Sequence, residues 1–223
     1  NRVLPLLDYE LIRQNPKIFM GYSDVTGLLA SIAEKSSLVT FHGPMLSSFA
    51  SKTVQYNLDV LIDVLSGRDD VNIRPPNGFG TRCLVPGQAS GPLYGGNLTL
   101  LIERLGTPDQ VDPGGGILFL EDIDEKLYAF DRMMLHLKRS GTLDGIRGLV
   151  IGEMLEMGDS QVPFGKDVDE IVLDVCADLN IPIISHFPCG HGDYQATLPV
   201  AHEVEIHASE DDCFIRIPES PVC

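Results

Sequence analysis

The sequence has no tryptophan, and aromatic residues fill only 7% of its 223 positions. A base-stacking platform for a nucleotide is therefore poorly supplied. Basic residues are also scarce: 16 Lys and Arg stand against 32 Asp and Glu, a formal net charge of -16. That balance argues against binding nucleic acid or an anionic membrane through a basic surface. No apolar run approaches the roughly 18 residues of a membrane span, and no signal-peptide pattern is visible. The five cysteines (Cys83, Cys176, Cys189, Cys213 and Cys223) are odd in number, widely spaced and free of any C-x-x-C pair. They read as reduced thiols in a reducing, cytoplasmic compartment, where the sequon Asn97-Leu98-Thr99 goes unused. His202 and His207 would face opposite ways on a strand, and H-E-x-x-H, G-x-G-x-x-G after a strand and the P-loop are all missing. Neither a metal nor a nucleotide cofactor is expected. What is present, 43% apolar and 22% charged residues, is the composition of a globular protein with a sizeable core.

Hydrophobic periodicity predicts alternating strands and helices. Leu6 to Gln14 reads as a short helix, Ile18 to Met20 as a buried strand, and the stretch from Val25 to about Lys35 as a helix. A second strand at Leu38 to Phe41 makes this a parallel strand–helix–strand unit. A helix over Tyr56 to Leu65 precedes residues 67–92, which are rich in Gly, Pro, Arg and Asp and read as a linker. Asn97 is placed to cap a helix carrying Leu98, Leu101, Ile102 and Leu105. Strands follow at Ile117–Leu120, Gly148–Gly152 and Pro182–Ser185, separated by helices at Asp131–Ser140 and Asp169–Leu179. Glu203–His207 and Cys213–Ile217 alternate like an antiparallel ribbon. The opening Asn1-Arg2-Val3-Leu4-Pro5 has no start methionine and reads as cut from a longer chain.

Three residues could carry chemistry. Ser23 sits on a sharp turn between strand and helix, where backbone N–H groups converge. Serine and aspartate are also ordinary helix caps there, and the second glycine of G-x-S-x-G is missing. Glu121 stands just past a buried strand, at the end where α/β sheets gather their active sites. Asp122, Asp124 and Glu125 beside it read as a solvated acidic loop. His191 lies between Gly190 and Gly192, which allow close approach of the backbone. A serine needs a base, and an imidazole needs an anion to fix its tautomer.

The stretches Gly21-Tyr22-Ser23-Asp24-Val25-Thr26, Phe41-His42-Gly43-Pro44, Gly95-Gly96-Asn97-Leu98, Ile117-Leu118-Phe119-Leu120-Glu121-Asp122, Asp131-Arg132 with Gly145 to Gly152, and Pro188-Cys189-Gly190-His191 with Leu198-Pro199 appear in that order. Together they resemble the LD-carboxypeptidases, a family of serine peptidases. The resemblance implies Ser23 as nucleophile, His191 as base and Glu121 as the acid that orients it. It implies a flavodoxin-like parallel-sheet N-terminal domain, truncated here and remaining as residues 1–75, followed by a C-terminal α/β domain over 86–217 with a small β-barrel. It also implies a homodimer, a bacterial cytoplasmic location, and a murein tetrapeptide that loses its terminal D-alanine during cell-wall recycling. Family members carry a leading region whose Gly-rich turn donates to the oxyanion; this sequence begins after it.

On that reading the Asp24 N–H donates to the oxyanion. Asn97 binds substrate or caps its helix. Arg132 or Arg82 takes the substrate carboxylate through a bidentate contact. A sister branch of the family hydrolyses microcin-type peptidyl nucleotides, and the shortage of aromatics leans away from it. A binding module in which Ser23 only caps a helix is the remaining alternative.

Overall fold

The computed structural model describes residues 1–51 and 54–222. Cys223 lies outside them; Cys83, Cys176, Cys189 and Cys213 are free thiols. A 3₁₀ turn at Leu4–Leu6 leads into helix α1 (Tyr9–Gln14), capped by the Asp8 carboxylate on the Leu11 N–H. Strand β1 (Met20–Gly21), a 3₁₀ turn at Ser23–Val25 and helix α2 (Thr26–Ser36) follow, then strand β2 (Thr40–His42). β1 and β2 pair in parallel, as the crossover pattern requires. Helices α3 (Leu46–Ser51) and α4 (Gln55–Leu65) come next.

Residues 67–92 are not a linker. They hold β3 (Val71–Ile73), β4 (Arg82–Val85) and the start of β5 (Gly87–Asn97). The small residues that suggested a loop allow β5 to lie close to its surroundings: a Cβ on Gly91 would stand 2.7 Å from the Gly115 carbonyl. Helix α5 (Leu98–Ile102) is short, and β6 (Ile117–Ile123) runs through Glu121 and Asp122 rather than ending before them. Helix α6 (Leu127–Arg139), β7 (Gly148–Leu155), helix α7 (Val168–Cys176) and β8 (Ile183–Ser185) complete the alternation. Short strand β9 (Leu198–Val200) precedes the ribbon β10 (Glu203–Ala208) and β11 (Cys213–Ile217), which is antiparallel as its alternation predicts.

Two sheets result. One has the order β1-β2-β9, the other β3-β11-β10-β5-β6-β7-β8-β4. Strands β5 to β8 are mutually parallel and the remaining pairings of the large sheet are antiparallel. The fold is mixed α/β. The expected small barrel is not closed, because β3 and β4 are left as the edges of the large sheet among the described residues.

Alternation along β6 divides the core. Leu118 and Leu120 face the layer of α5, α6 and α7, while Ile117 and Phe119 face the opposite layer with Phe41, Phe187 and Leu198. Continuing the count puts Asp122 on the helix side and Glu121 on the other. Among the described residues no helix is long and apolar enough to cross a membrane.

Candidate active site

Glu121 is fully buried, and its Oε2 lies 2.7 Å from His191 Nδ1. A carboxylate can only accept, so Nδ1 carries the proton and Nε2 is left as the basic nitrogen. This hydrogen bond raises the His191 pKa above its ordinary value; burial opposes the rise, and the charges of Glu121, Asp122 and Asp24 add to it. Such a pair is able to act as a base with its orienting acid.

The glycines flanking His191 are needed. Gly190 has φ +120°, and a Cβ there would stand 2.7 Å from Glu121 Oε2. A Cβ on Gly192 would overlap the Glu153 carboxyl. The loop is pinned from α4, where Asn57 Nδ2 donates to Asp193 O at 2.9 Å and Asn57 Oδ1 accepts from the Gln195 N–H at 2.7 Å. Gln195 Nε2 in turn donates to Gly190 O.

Ser23 occupies the sharp turn its sequence suggested, with φ +59°. A serine in the left-handed region is uncommon, and such strain collects at functional turns. The turn lies beside the acid–base pair. The Tyr22 ring meets the His191 ring edge-on at 5.1 Å between centroids, and the Asp24 carboxylate is near enough to act on the imidazole. No Ser23–His191 hydrogen bond is formed among the described residues. A cavity of about 160 Å³ opens here, lined by Tyr22, Asn57, His191, Gly192, Asp193 and Gln195 among others. A larger one of about 300 Å³, lined by Ala30, Glu34, Tyr94 and Asp112, shares no residue with it.

Asn97 caps α5 through its Oδ1, which accepts from the Leu100 N–H at 3.2 Å, and its Nδ2 donates to Asp122 Oδ1 at 2.9 Å. One Nδ2 hydrogen is left over. The Asn97 N–H donates to Thr26 Oγ1 at 3.1 Å, tying the end of β5 to the helix that follows Ser23. Asp122 belongs to this structural network and not to a solvated loop: it is 3% exposed and also accepts from the Thr99 N–H and hydroxyl. The arginines lie elsewhere. Arg132 is exposed on α6 with its guanidinium over the Tyr128 ring, and Arg82 pairs with Asp169 at 3.1 Å. No described contact joins either to the Glu121–His191 pair.

Four neighbours escaped the sequence reading. Tyr22 and His42 stood inside recognised motifs without a role, whereas Asn57 and Glu153 gave no signal. His42 is 2% exposed, has no hydrogen-bond partner on either ring nitrogen, and packs edge-on against Phe119 at 5.1 Å. Burial holds its pKa down to about 4, so it is neutral at physiological pH.

A histidine–carboxylate pair seated beside a strained serine turn on a mixed α/β sheet holds the residue types that a serine hydrolase site requires. The chain belongs to the LD-carboxypeptidase family: residues 90–206 match the model of the LD-carboxypeptidase C-terminal domain and residues 1–43 that of the N-terminal domain. It is 34% identical over 216 residues to the "probable murein peptide carboxypeptidase" of Bacillus subtilis (strain 168), covering 96% of this chain and 67% of the relative. The structure superposes on the muramoyltetrapeptide carboxypeptidase of Oxalobacter formigenes with a TM-score of 0.85 at 30% identity, covering 99% of this chain and 75% of that one. It also superposes on the microcin self-immunity protein MccF, in an inactive-mutant apo state, with a TM-score of 0.88 at 27% identity and coverage of 99% and 73%. The chain spans about two thirds of the length of the curated relatives it matches.

Proposed function

We propose that this chain carries the catalytic residues of a serine carboxypeptidase that hydrolyses the L–D peptide bond to the terminal D-alanine of a murein tetrapeptide. The observation that carries the proposal is the 2.7 Å Glu121–His191 hydrogen bond standing beside the strained Ser23 turn. His191 Nε2 takes the Ser23 proton, and Oγ attacks the scissile carbonyl. The oxyanion is held by the Asp24 N–H, helped by the converging N–H groups of the turn. His191 passes the proton to the departing D-alanine amine, leaving an acyl-enzyme. His191 then deprotonates a water, which releases the shortened peptide. Glu121 stabilises the imidazolium formed at each transfer. The spare Asn97 hydrogen is available to substrate, and Arg132 and Arg82 are the two candidates for the terminal carboxylate.

The reading includes a homodimer working in the bacterial cytoplasm during cell-wall recycling, without metal or nucleotide cofactor. It also divides the chain into a nucleophile-bearing part, 1–75, and a part carrying Glu121 and His191, 86–217. The likeness to MccF supports a second reading, hydrolysis of a microcin-type aminoacyl nucleotide by the same residues.

Turnover of a D-alanine-terminated tetrapeptide and of an aminoacyl sulfamoyl nucleoside, compared in the full-length protein, separates the two. Ser23→Ala should reduce the preferred reaction at least about a thousandfold. Wild-type turnover by Ser23→Ala would end the proposal.

A further inference from the structure

Two neighbouring strands each place a carboxyl beneath the His191 loop, one under each glycine. Gly190 rests on Glu121, and Gly192 rests on Glu153. A β-bulge brings both to the same side. Leu120 pairs with Ile151 but Asp122 pairs with Met154, so Gly152 and Glu153 together oppose Glu121. With regular alternation Glu153 would turn to the helix-covered face; the extra residue re-aims it. Its N–H then donates to Cys189 O at 3.0 Å, fastening β7 to the start of the loop.

The two carboxyls differ in what they meet. Glu121 has His191. Glu153 is 7% exposed, and its Oε2 is buried with no hydrogen-bond partner. The ionisable groups that act on it are Glu121 on β6 and Asp193 and Cys189 on the loop, none of them a cation, while His191 beside Gly192 turns its Nδ1 to Glu121. An unpaired carboxylate buried among other carboxylates favours its neutral form. Burial first, then Asp193 and Glu121, push its pKa up to about 7.

We propose that Glu153 is a positioning residue for His191, seating the glycine-flanked loop while neutral and loosening it once ionised. The proposal rests on the preceding reading only in taking His191 as the base. Loss of the Glu153 proton puts a new negative charge under Gly192, facing Glu121 and Asp193. The loop is pushed outward and the Glu121–His191 hydrogen bond slackens. The stability consequence has a definite sign. A carboxyl whose folded pKa is raised contributes stability fully below its unfolded value, and that contribution is lost as pH rises through about 7.

The test compares wild type, Glu153→Gln and Glu153→Asp in the full-length protein between about pH 5 and 9. Gln keeps the shape and cannot ionise; Asp still can. Thermal midpoints and peptide kinetics are measured together. The wild-type midpoint should fall through neutral pH relative to Glu153→Gln. The wild-type kcat should drop toward tenfold per pH unit above about 7 with KM held. Above about pH 7 Glu153→Gln should show neither this fall nor this drop, and Glu153→Asp should keep a break. Parallel midpoint curves for wild type and Glu153→Gln would overturn the proposal, whatever the kinetics. Diverging midpoint curves in a protein that cleaves no peptide would support the seating role and reject the peptidase reading. If Glu153→Gln fails to fold, the ¹³C carboxyl titration of Glu153 in wild type decides: a break near pH 7 supports the proposal, and one below pH 5 overturns it.

Discussion

The two faces of β6 treat adjacent carboxylates in opposite ways. On the helix-covered face, Asp122 accepts from Asn97, Thr99 and its own neighbour Ile123, and both of its oxygens are satisfied. On the other face the polar network stays open: Glu121 Oε1, Glu153 Oε2 and both nitrogens of His42 are buried without partners. A closed network lowers the energy of one arrangement and fixes α5 to the sheet. An open one keeps unspent hydrogen-bonding capacity where protons are to move. On the proposed function, one side of a single strand serves stability and the other serves chemistry.

That assignment can be broken in three places. Glu121→Gln should cost a hundredfold or more in kcat, about 2.7 kcal/mol of transition-state stabilisation, with a small change in thermal midpoint. The Glu121 hydrogen bond raises the His191 pKa. Its loss should therefore move the acid limb of kcat/KM to lower pH, read directly from the rate profile. Asp122→Ala should act chiefly on stability. Leaving the Asn97, Thr99 and Ile123 donors unpaired should destabilise the fold by about 3 kcal/mol in urea titration. The acid limb should move to lower pH by less than in Glu121→Gln, because the Asp122 charge adds less to the His191 pKa than Glu121 does. Asn57→Ala should fall between the two roles at about 2 kcal/mol, because it frees the 191–195 loop from α4. Broadening of the His191 imidazole resonance would report that release. An Asp122 variant whose acid limb moved as far as that of Glu121→Gln would erase the distinction between the faces.

Much of this was legible in the sequence where one local rule dominates. The Ser23 turn follows from a switch of period between Met20 and Val25, and the place of Glu121 next to a buried strand from the apolar run before it, although the strand continues through it. The glycines around His191 marked a close approach without saying what is approached. Other features depend on partners distant in the chain. Strand β5 is rich in Gly because a Cβ there would run into Phe119 of β6, the turn at Gly115 and Gly116, or Thr26 of α2, so its composition imitates a loop. Asp122 was read as solvated because the donors that claim it come from residues 97 and 99. Asn57 contacts a loop 136 positions away, and no periodicity could announce that. Glu153 was hidden by the bulge, since simple alternation points it the wrong way.

That single surplus residue in β7 has a consequence for length changes that substitutions would not reveal. Removing Gly152 would restore the regular pleat with Glu153 alone opposite Glu121 and Met154 still opposite Asp122, so every side chain beyond it would keep its face. One deleted codon at the bulge would thus take out the surplus and spare the orientation of its neighbours.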